Sequence, residues 1–336
     1  MREARPFSSV AVIGAGAWGT ALAGLCARNG VETALWAREP EVAKAVNDRK
    51  ENVDFLPGVA LPEALEATHD LGMAGKKEAI LFVVPAQFAR SVLGDLRMTA
   101  RTDAPVALCS KGIERATGLL MTETLAAVWP EARPAVLSGP SFARDVALGL
   151  PTAVTLACAD PDLGARWIAT LGAPTFRPYL SDDLVGAELG GAVKNVLAVA
   201  AGVVEGKKLG ESARAAVIAR GFAEFQRLGE ALGAKTQTMA GLSGLGDLIL
   251  TASSPQSRNM SLGLELGKGR KLDDILSARN TVSEGAASAA AVKALADKAG
   301  VDAPICAAVD ALIAGEASVD DIIADLLSRP FKPESK

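Results

Sequence analysis

Four apolar residues, Val10-Ala11-Val12-Ile13, run straight into Gly14-Ala15-Gly16-Ala17-Trp18-Gly19, and Thr20-Ala21-Leu22-Ala23 follows at once. A short β-branched run, three spaced glycines and a helix-forming stretch leave few folding options. Gly14 permits a tight turn, Gly16 lets a ligand approach the backbone, and Gly19 allows the helix to pack closely on the strand. The helix then begins with free N–H groups and a partial positive charge, a natural seat for phosphates. Strand, turn and helix agree, so the chain is expected to open with a dinucleotide-binding βα unit in which Gly14, Gly16 and Gly19 lie against the cofactor.

Up to residue 182 the pattern repeats. Strands are predicted at 10–14, 33–37, 79–84, 106–109, 135–137, 153–157 and 175–178, with helical stretches such as 17–28, 41–48 and 119–128 between them. Apolar strands alternating with helices predict a parallel, doubly wound sheet covered on both faces, a Rossmann-type α/β domain. Beyond Ser181-Asp182-Asp183, a good helix start, Ala- and Leu-rich helical runs occupy 184–204, 211–232, 256–266, 284–299 and 303–314. The expected organisation is a dinucleotide-binding domain over 1–182 and an all-helical substrate domain over 183–330. A tail follows over 331–336, with disorder expected from Arg329 onward.

Composition narrows the function. With 49% hydrophobic and 22% charged residues, a large core can form. A net charge of -4 without a basic block argues against nucleic acid, whose binders carry a basic stripe. Cys26, Cys109, Cys158 and Cys306 are far apart and lie in apolar settings. They read as buried free thiols in a reducing compartment rather than as a disulfide framework or metal site. The single histidine, His69, sits in a polar stretch, which leaves histidine-based catalysis without a candidate. The weakly charged stretch 10–27 lacks the leader and cleavage site of a signal peptide, and no run has the length and composition of a membrane span. A cytoplasmic enzyme without membrane insertion is expected.

The candidate chemistry gathers around charged residues in special settings. The second strand ends at Ala37-Arg38 with no carboxylate at its tip; Arg38 suits a 2′-phosphate or an adenine face, which admits NADP as well as NAD. Lys194 lies on a helix that carries Gly190 and Gly191, each costing roughly 1 kcal/mol against alanine. Its side chain should lean back over that bare strip, leaving room for a ligand. Asp247 follows the glycine-rich loop Gly241-Leu242-Ser243-Gly244-Leu245-Gly246, where it could equally cap a helix. Ser254 resembles an N-cap with Pro255 in the first turn, so that Ser257, Arg258 and Asn259 form a phosphate cradle at a helix start. Ser110-Lys111-Gly112 and Ser138-Gly139-Pro140-Ser141-Phe142-Ala143 each follow a strand, at the carboxyl edge where open α/β sheets bind ligands.

These segments resemble, in order and spacing over residues 10 to 327, bacterial NAD(P)-dependent glycerol-3-phosphate dehydrogenase. Besides the glycine loop, the likeness rests on Phe55-Leu56-Pro57-Gly58, Val83-Val84-Pro85-Ala86, the Lys111 and Ser138–Ala143 segments, Glu188 through Asn195, Gly241 through Asp247, and Ser257-Arg258-Asn259. The resemblance implies that Lys194 is the acid/base at the substrate's C2 oxygen. It implies that Lys111, Gly139, Ser141, Lys194, Asp247, Ser257, Arg258 and Asn259 contact substrate. Ala17, Trp18, Arg38, Lys111, Ala143, Arg258, Val282 and Glu284 would contact NAD or NADP. It also implies a homodimer, no metal, and a supply of glycerol 3-phosphate for glycerophospholipid synthesis. Glu205-Gly206-Lys207-Lys208 and Ser212-Ala213 depart from the family pattern, as does Phe55. Two alternatives differ in kind: a dehydrogenase of 3-hydroxy acids or ketopantoate, and a non-catalytic dinucleotide sensor. Ser257-Arg258-Asn259 favours a phosphorylated substrate over the first, and a sensor would not need Lys194, Asp247 and Arg258 together.

Overall fold

The computed structural model describes residues 4–278 and 284–330, apart from the side chains of Glu284 and Ala287. The chain packs as two compact units, Met1–Gly191 with Gly233–Asp247, and Ala192–Leu232 with Leu248–Lys336. The expected boundary near residue 182 falls within the first unit, where the first turns of a long helix pack on the sheet.

In the first unit the strands are β1 (Ser9–Ile13), β2 (Glu32–Trp36), β3 (Glu66–Thr68), β4 (Ala79–Phe82), β5 (Pro105–Leu108), β6 (Arg133–Ser138), β7 (Thr152–Ala157) and β8 (Phe176–Ser181). They form one sheet in the order β3-β2-β1-β4-β5-β6-β7-β8. The helices of its connections are α1 (Ala17–Arg28), α2 (Pro40–Arg49), α3 (Leu71–Gly75), α4 (Ala89–Arg97), α5 (Met121–Val128), α6 (Ala143–Ala147) and α7 (Pro161–Leu171). Strand alternation divides the core. Val10, Val12, Leu35 and Leu81 bury against α1, α2 and α7 through Leu22, Val46 and Trp167. Ala11, Ile13, Ile80 and Phe82 bury on the other face with Leu93, Leu96 and Leu125 of α4 and α5. Continuous apolar strands are thus explained by a sheet covered on both sides.

The sheet is parallel except between β6 and β7, which pair antiparallel through Val136–Ala157, Leu137–Leu156 and Ser138–Thr155. The five-residue α6 does not make a crossover in the connection, so the chain returns beside the strand it has just left. β8 then rejoins in parallel after α7. On the free side of β8, Phe176 exchanges both backbone bonds with Ala173, at 3.1 and 2.9 Å.

α8 (Leu184–Gly206) follows, capped by Asp183, whose carboxylate accepts from the Gly186 N–H at 2.8 Å. It is apolar enough to cross a membrane, but 94% of its most apolar window is buried, so it is a core helix. Next come α9 (Glu211–Ala231), α10 (Thr236–Met239), a π-helical turn over Leu242–Gly246, α11 (Asp247–Ser253), α12 (Arg258–Gly267), α13 (Leu272–Ser277), α14 (Glu284–Lys298), α15 (Pro304–Ala314) and α16 (Val319–Ser328). In the second unit α8 and α12 meet backbone to backbone. A Cβ on Gly202 would lie 2.1 Å from the Met260 carbonyl oxygen, and one on Gly263 would lie 2.0 Å from that of Val199. Arg329, expected to begin a disordered tail, is paired with Asp302 at 2.7 Å. Gly202→Ala should therefore destabilise the protein by about 1–3 kcal/mol, the scale of overpacking, measured from urea unfolding midpoints; an unchanged midpoint would contradict the contact.

Candidate functional site

β1 lies between β2 and β4, paired in parallel with both, so the chain leaves it in opposite directions. Open sheets bind ligands at the carboxyl end of such a switch point, and the glycine loop stands there. Gly14 has φ +115°, and a Cβ on Gly19 would lie 1.8 Å from the Gly14 carbonyl oxygen, so turn and helix touch directly. No heavy atom outside the local chain lies within 4 Å of a Cβ built on Gly16. No side chain caps the N-terminus of α1 at Gly16, and the buried indole N–H of Trp18 has no partner. An open glycine, uncapped helix donors and an unpaired indole donor fit the phosphates and polar groups of a dinucleotide. Ala17 opens α1, and Ala143 opens α6 half-buried against the core. Arg38 is exposed beyond β2 and paired with Glu39 at 2.7 Å, a contact weak enough in water to be exchanged for a ligand anion.

Sequence reading missed the clamp on this loop. Asn52, almost fully buried, donates to the Ala15 carbonyl and to the Thr20 hydroxyl, both at 2.8 Å, while its own oxygen accepts from the Phe55 N–H at 3.2 Å. An isolated Asn in a polar stretch carries no periodic signal that could have marked it.

Beyond β5 and β6 the same unit holds a buried ion pair. Lys111 Nζ donates to Asp247 Oδ2 at 2.7 Å and to the Gly139 carbonyl at 3.3 Å; the side chains are 15% and 1% exposed. Asp247 thus opens α11 with its carboxylate paired to a lysine. Ser141 donates to the Gly139 carbonyl at 3.1 Å. Gly139, at φ +148°, leaves no room for a side chain: a Cβ there would lie 2.9 Å from the Val154 Cα.

The glycine strip of α8 is not open to a ligand, contrary to expectation. A Cβ on Gly190 would meet the Ser243 carbonyl oxygen at 2.2 Å, and one on Gly191 the Lys111 side chain at 3.2 Å. These glycines admit protein, namely the π-helical turn and the Lys111 stem. On the same helix Glu188, 5% exposed, accepts from the Thr122 N–H at 2.8 Å and the Thr122 hydroxyl at 2.6 Å, at the start of α5.

In the second unit Lys194 is 8% exposed and donates to the Thr251 hydroxyl at 3.0 Å. The neighbouring Asn195 accepts from the Asn259 amide at 2.8 Å, and Asn259 Oδ1 accepts from the Gly285 N–H at 2.8 Å. α12 starts at Arg258, three residues later than Ser254 and Pro255 suggested. Ser257 is its N-cap, accepting from the Met260 N–H at 3.2 Å, while Ser254 closes a turn by accepting from the Gln256 N–H. Proline suited a first helical turn, but the Ser257 hydroxyl supplies the cap one residue before the helix. Thr251 and Asn195 were missed, although Thr251 stands one helical turn after Asp247 and Asn195 adjoins Lys194. Val282 lies outside the described residues, as does the Glu284 side chain. Cys26, Cys109, Cys158 and Cys306 are all buried, and burial pushes the Cys26 thiol up to about 12.

The amino-terminal model of NAD-dependent glycerol-3-phosphate dehydrogenase matches residues 9–164, and the carboxyl-terminal model of the same family matches 183–324. Glycerol-3-phosphate dehydrogenases [NAD(P)+] of Parvibaculum lavamentivorans and Caulobacter vibrioides are each 57% identical over 329 residues, covering 98% of this chain and 99% of theirs. The crystal structure of glycerol-3-phosphate dehydrogenase from Coxiella burnetii superposes with a TM-score of 0.92 at 37% identity, covering 96% of this chain and 99% of that one.

Desolvation pushes the Glu188 carboxyl up to about 7, against the opposing bonds from Thr122, with Glu123 adding to the rise. A raised carboxyl contributes stability in full below its ordinary 4.5, and this is lost as pH rises through about 7. Glu188→Gln keeps the shape and a partner for each Thr122 group. It should gain stability over the parent between pH 5 and pH 8, by at most about 3 kcal/mol, read from urea unfolding at both pH values. A gain that shrinks with rising pH would show the sign to be wrong.

Proposed function

The chain belongs to the NAD-dependent glycerol-3-phosphate dehydrogenase family, and we infer from that membership that it interconverts glycerone phosphate and sn-glycerol 3-phosphate with NAD(P)(H). It is an NAD(P)-dependent oxidoreductase acting on a small phosphorylated substrate. The observation that carries the assignment of chemistry is Lys194, a buried ammonium on α8 held by a hydroxyl. When bound, NAD(P)H would supply the hydride for C2 of glycerone phosphate, and NAD(P)+ would accept it in the reverse direction. Lys194 donates its proton to the C2 oxygen as the carbonyl becomes an alkoxide, and in reverse the neutral amine takes the hydroxyl proton. The Thr251 hydroxyl fixes the ammonium between turnovers.

Arg258 and the N–H groups opening α12 hold the phosphate, with Ser257 and Asn259 beside them, so that C2 is presented in one orientation. Lys111, Asp247, Gly139 and Ser141 contact the substrate, and Lys111 and Arg258 also reach the cofactor. The glycine loop with Ala17, Trp18, Arg38, Ala143, Val282 and Glu284 binds the dinucleotide. Arg38, in the place where an NAD-specific site carries a carboxylate, supports use of NADPH as well as NADH. The family likeness and the buried thiols support a cytoplasmic homodimer that supplies glycerol 3-phosphate for glycerophospholipid synthesis.

The test is NAD(P)H oxidation with glycerone phosphate. In the same assay Lys194→Ala should lower turnover by about 10²–10⁴ with little change in cofactor affinity. Near-normal turnover in the folded variant would remove Lys194 from the mechanism. Arg258→Leu should weaken glycerone phosphate binding by about 1.5–3 kcal/mol and affect unphosphorylated dihydroxyacetone far less; an equal effect on both would defeat the phosphate role.

A further inference from the structure

The segment 110–120 carries Lys111 between β5 and α5 and has no regular structure of its own, yet Lys111 must hold an ammonium on a buried carboxylate. Two side chains from outside the segment, neither of them a proposed ligand contact, hold it. Gln87 grips the backbone from two sides: its amide donates to the Ile113 carbonyl at 2.8 Å, and its oxygen accepts from the Arg115 N–H at 3.1 Å. Arg90, on α4, forms a two-pronged bond with Glu114, at 2.8 and 2.7 Å. Glu114 is 5% exposed and also accepts from the Thr117 hydroxyl. The Arg90 guanidinium holds its carboxyl below the usual carboxylate range. At the segment's start the Ser110 hydroxyl donates to the Val84 carbonyl.

A lysine stem has four rotatable bonds and gives up much of its rotamer freedom when fixed. Pinning the ammonium at 2.7 Å from Asp247 therefore requires that its Cα not wander. The Arg90–Glu114 fork is planar and directional, and it clamps the chain three residues beyond Lys111. Gln87 clamps it on either side of Glu114. We propose that Gln87, Arg90 and Glu114 are positioning residues that act through Lys111, setting its ammonium on Asp247 and so preparing it for ligand. The proposal rests on the reading that Lys111 contacts substrate and cofactor.

Two measurements test it. The first needs no turnover: Lys111 modification by acetic anhydride, followed by mass spectrometry, should be several-fold faster in Glu114→Gln and in Gln87→Ala than in the parent. Both variants should remain folded, which their thermal midpoints check: Gln87 is exposed, and Glu114→Gln preserves shape and one acceptor for Arg90 while giving up the charge. Unchanged Lys111 reactivity in both folded variants overturns the brace, whatever reaction the protein performs. The second is a double-mutant cycle. Glu114→Gln should raise the KM for glycerone phosphate at least fivefold in protein that remains folded. In a Lys111→Met background the same substitution should change it less than twofold, because a brace has nothing left to position. Equal effects in both backgrounds would show that Glu114 acts independently of Lys111. Absence of glycerone phosphate turnover in the parent would count against the functional reading alone, and the modification rates would still decide the brace.

Discussion

Backbone touches backbone at the places that matter most in this molecule, and glycine makes each contact possible. Gly19 against Gly14 sets the angle between β1 and α1, and with it the direction of the helix donors. Gly190 admits the Ser243 carbonyl, and Gly191 leaves the width of a methyl group for the Lys111 stem. Gly202 and Gly263 let α8 and α12 approach until carbonyl oxygens lie where side chains would begin. That last contact governs the spacing of Asn195 from Asn259, and through them the placement of the α12 start beside α8. Two adjacent glycines inside a helix are costly to the isolated helix, and the packing they permit offsets that loss.

Charge is treated in the same economical way. The Lys111–Asp247 pair sits where desolvation opposes it, and such a pair is poor evidence of stability for its own sake. The carbonyl of Gly139 gives the ammonium a second acceptor. Lys194, more deeply buried, donates to the Thr251 hydroxyl.

Much of this was legible in the sequence because the period of the apolar residues is a local property. Seven strands fell where β-branched runs predicted them. β3 escaped because Glu66-Ala67-Thr68 is three residues long with a charged end, too short to show alternation. The antiparallel turn of β7 escaped because strand direction depends on the connection, and a five-residue helix looks like a crossover in sequence. Lys194, Asp247 and Arg258 stood out as charges in odd company. Asn52, Thr251, Gln87 and Glu114 act through partners far along the chain, and no spacing rule reveals a bond between residue 52 and residue 15. The Ser254 cap was misplaced because Ser254 and Ser257 offer the same chemistry three residues apart, and only the backbone path chooses between them.

The outer border of the sheet has a consequence for how copies of this chain behave in a crowded cell. An open strand normally offers its unused donors and acceptors to any other strand it meets. β8 offers few: Phe176 has already spent its pair on Ala173, and two residues on, Pro178 has no hydrogen to give. Exposed Tyr179 and Leu180 sit on this border, a combination that invites aggregation where the ladder is free. Here the apolar side chains are present and the ladder is interrupted at Phe176 and Pro178, so strand-to-strand growth along β8 is hindered, and association on this border favours side-chain surfaces over a continued sheet.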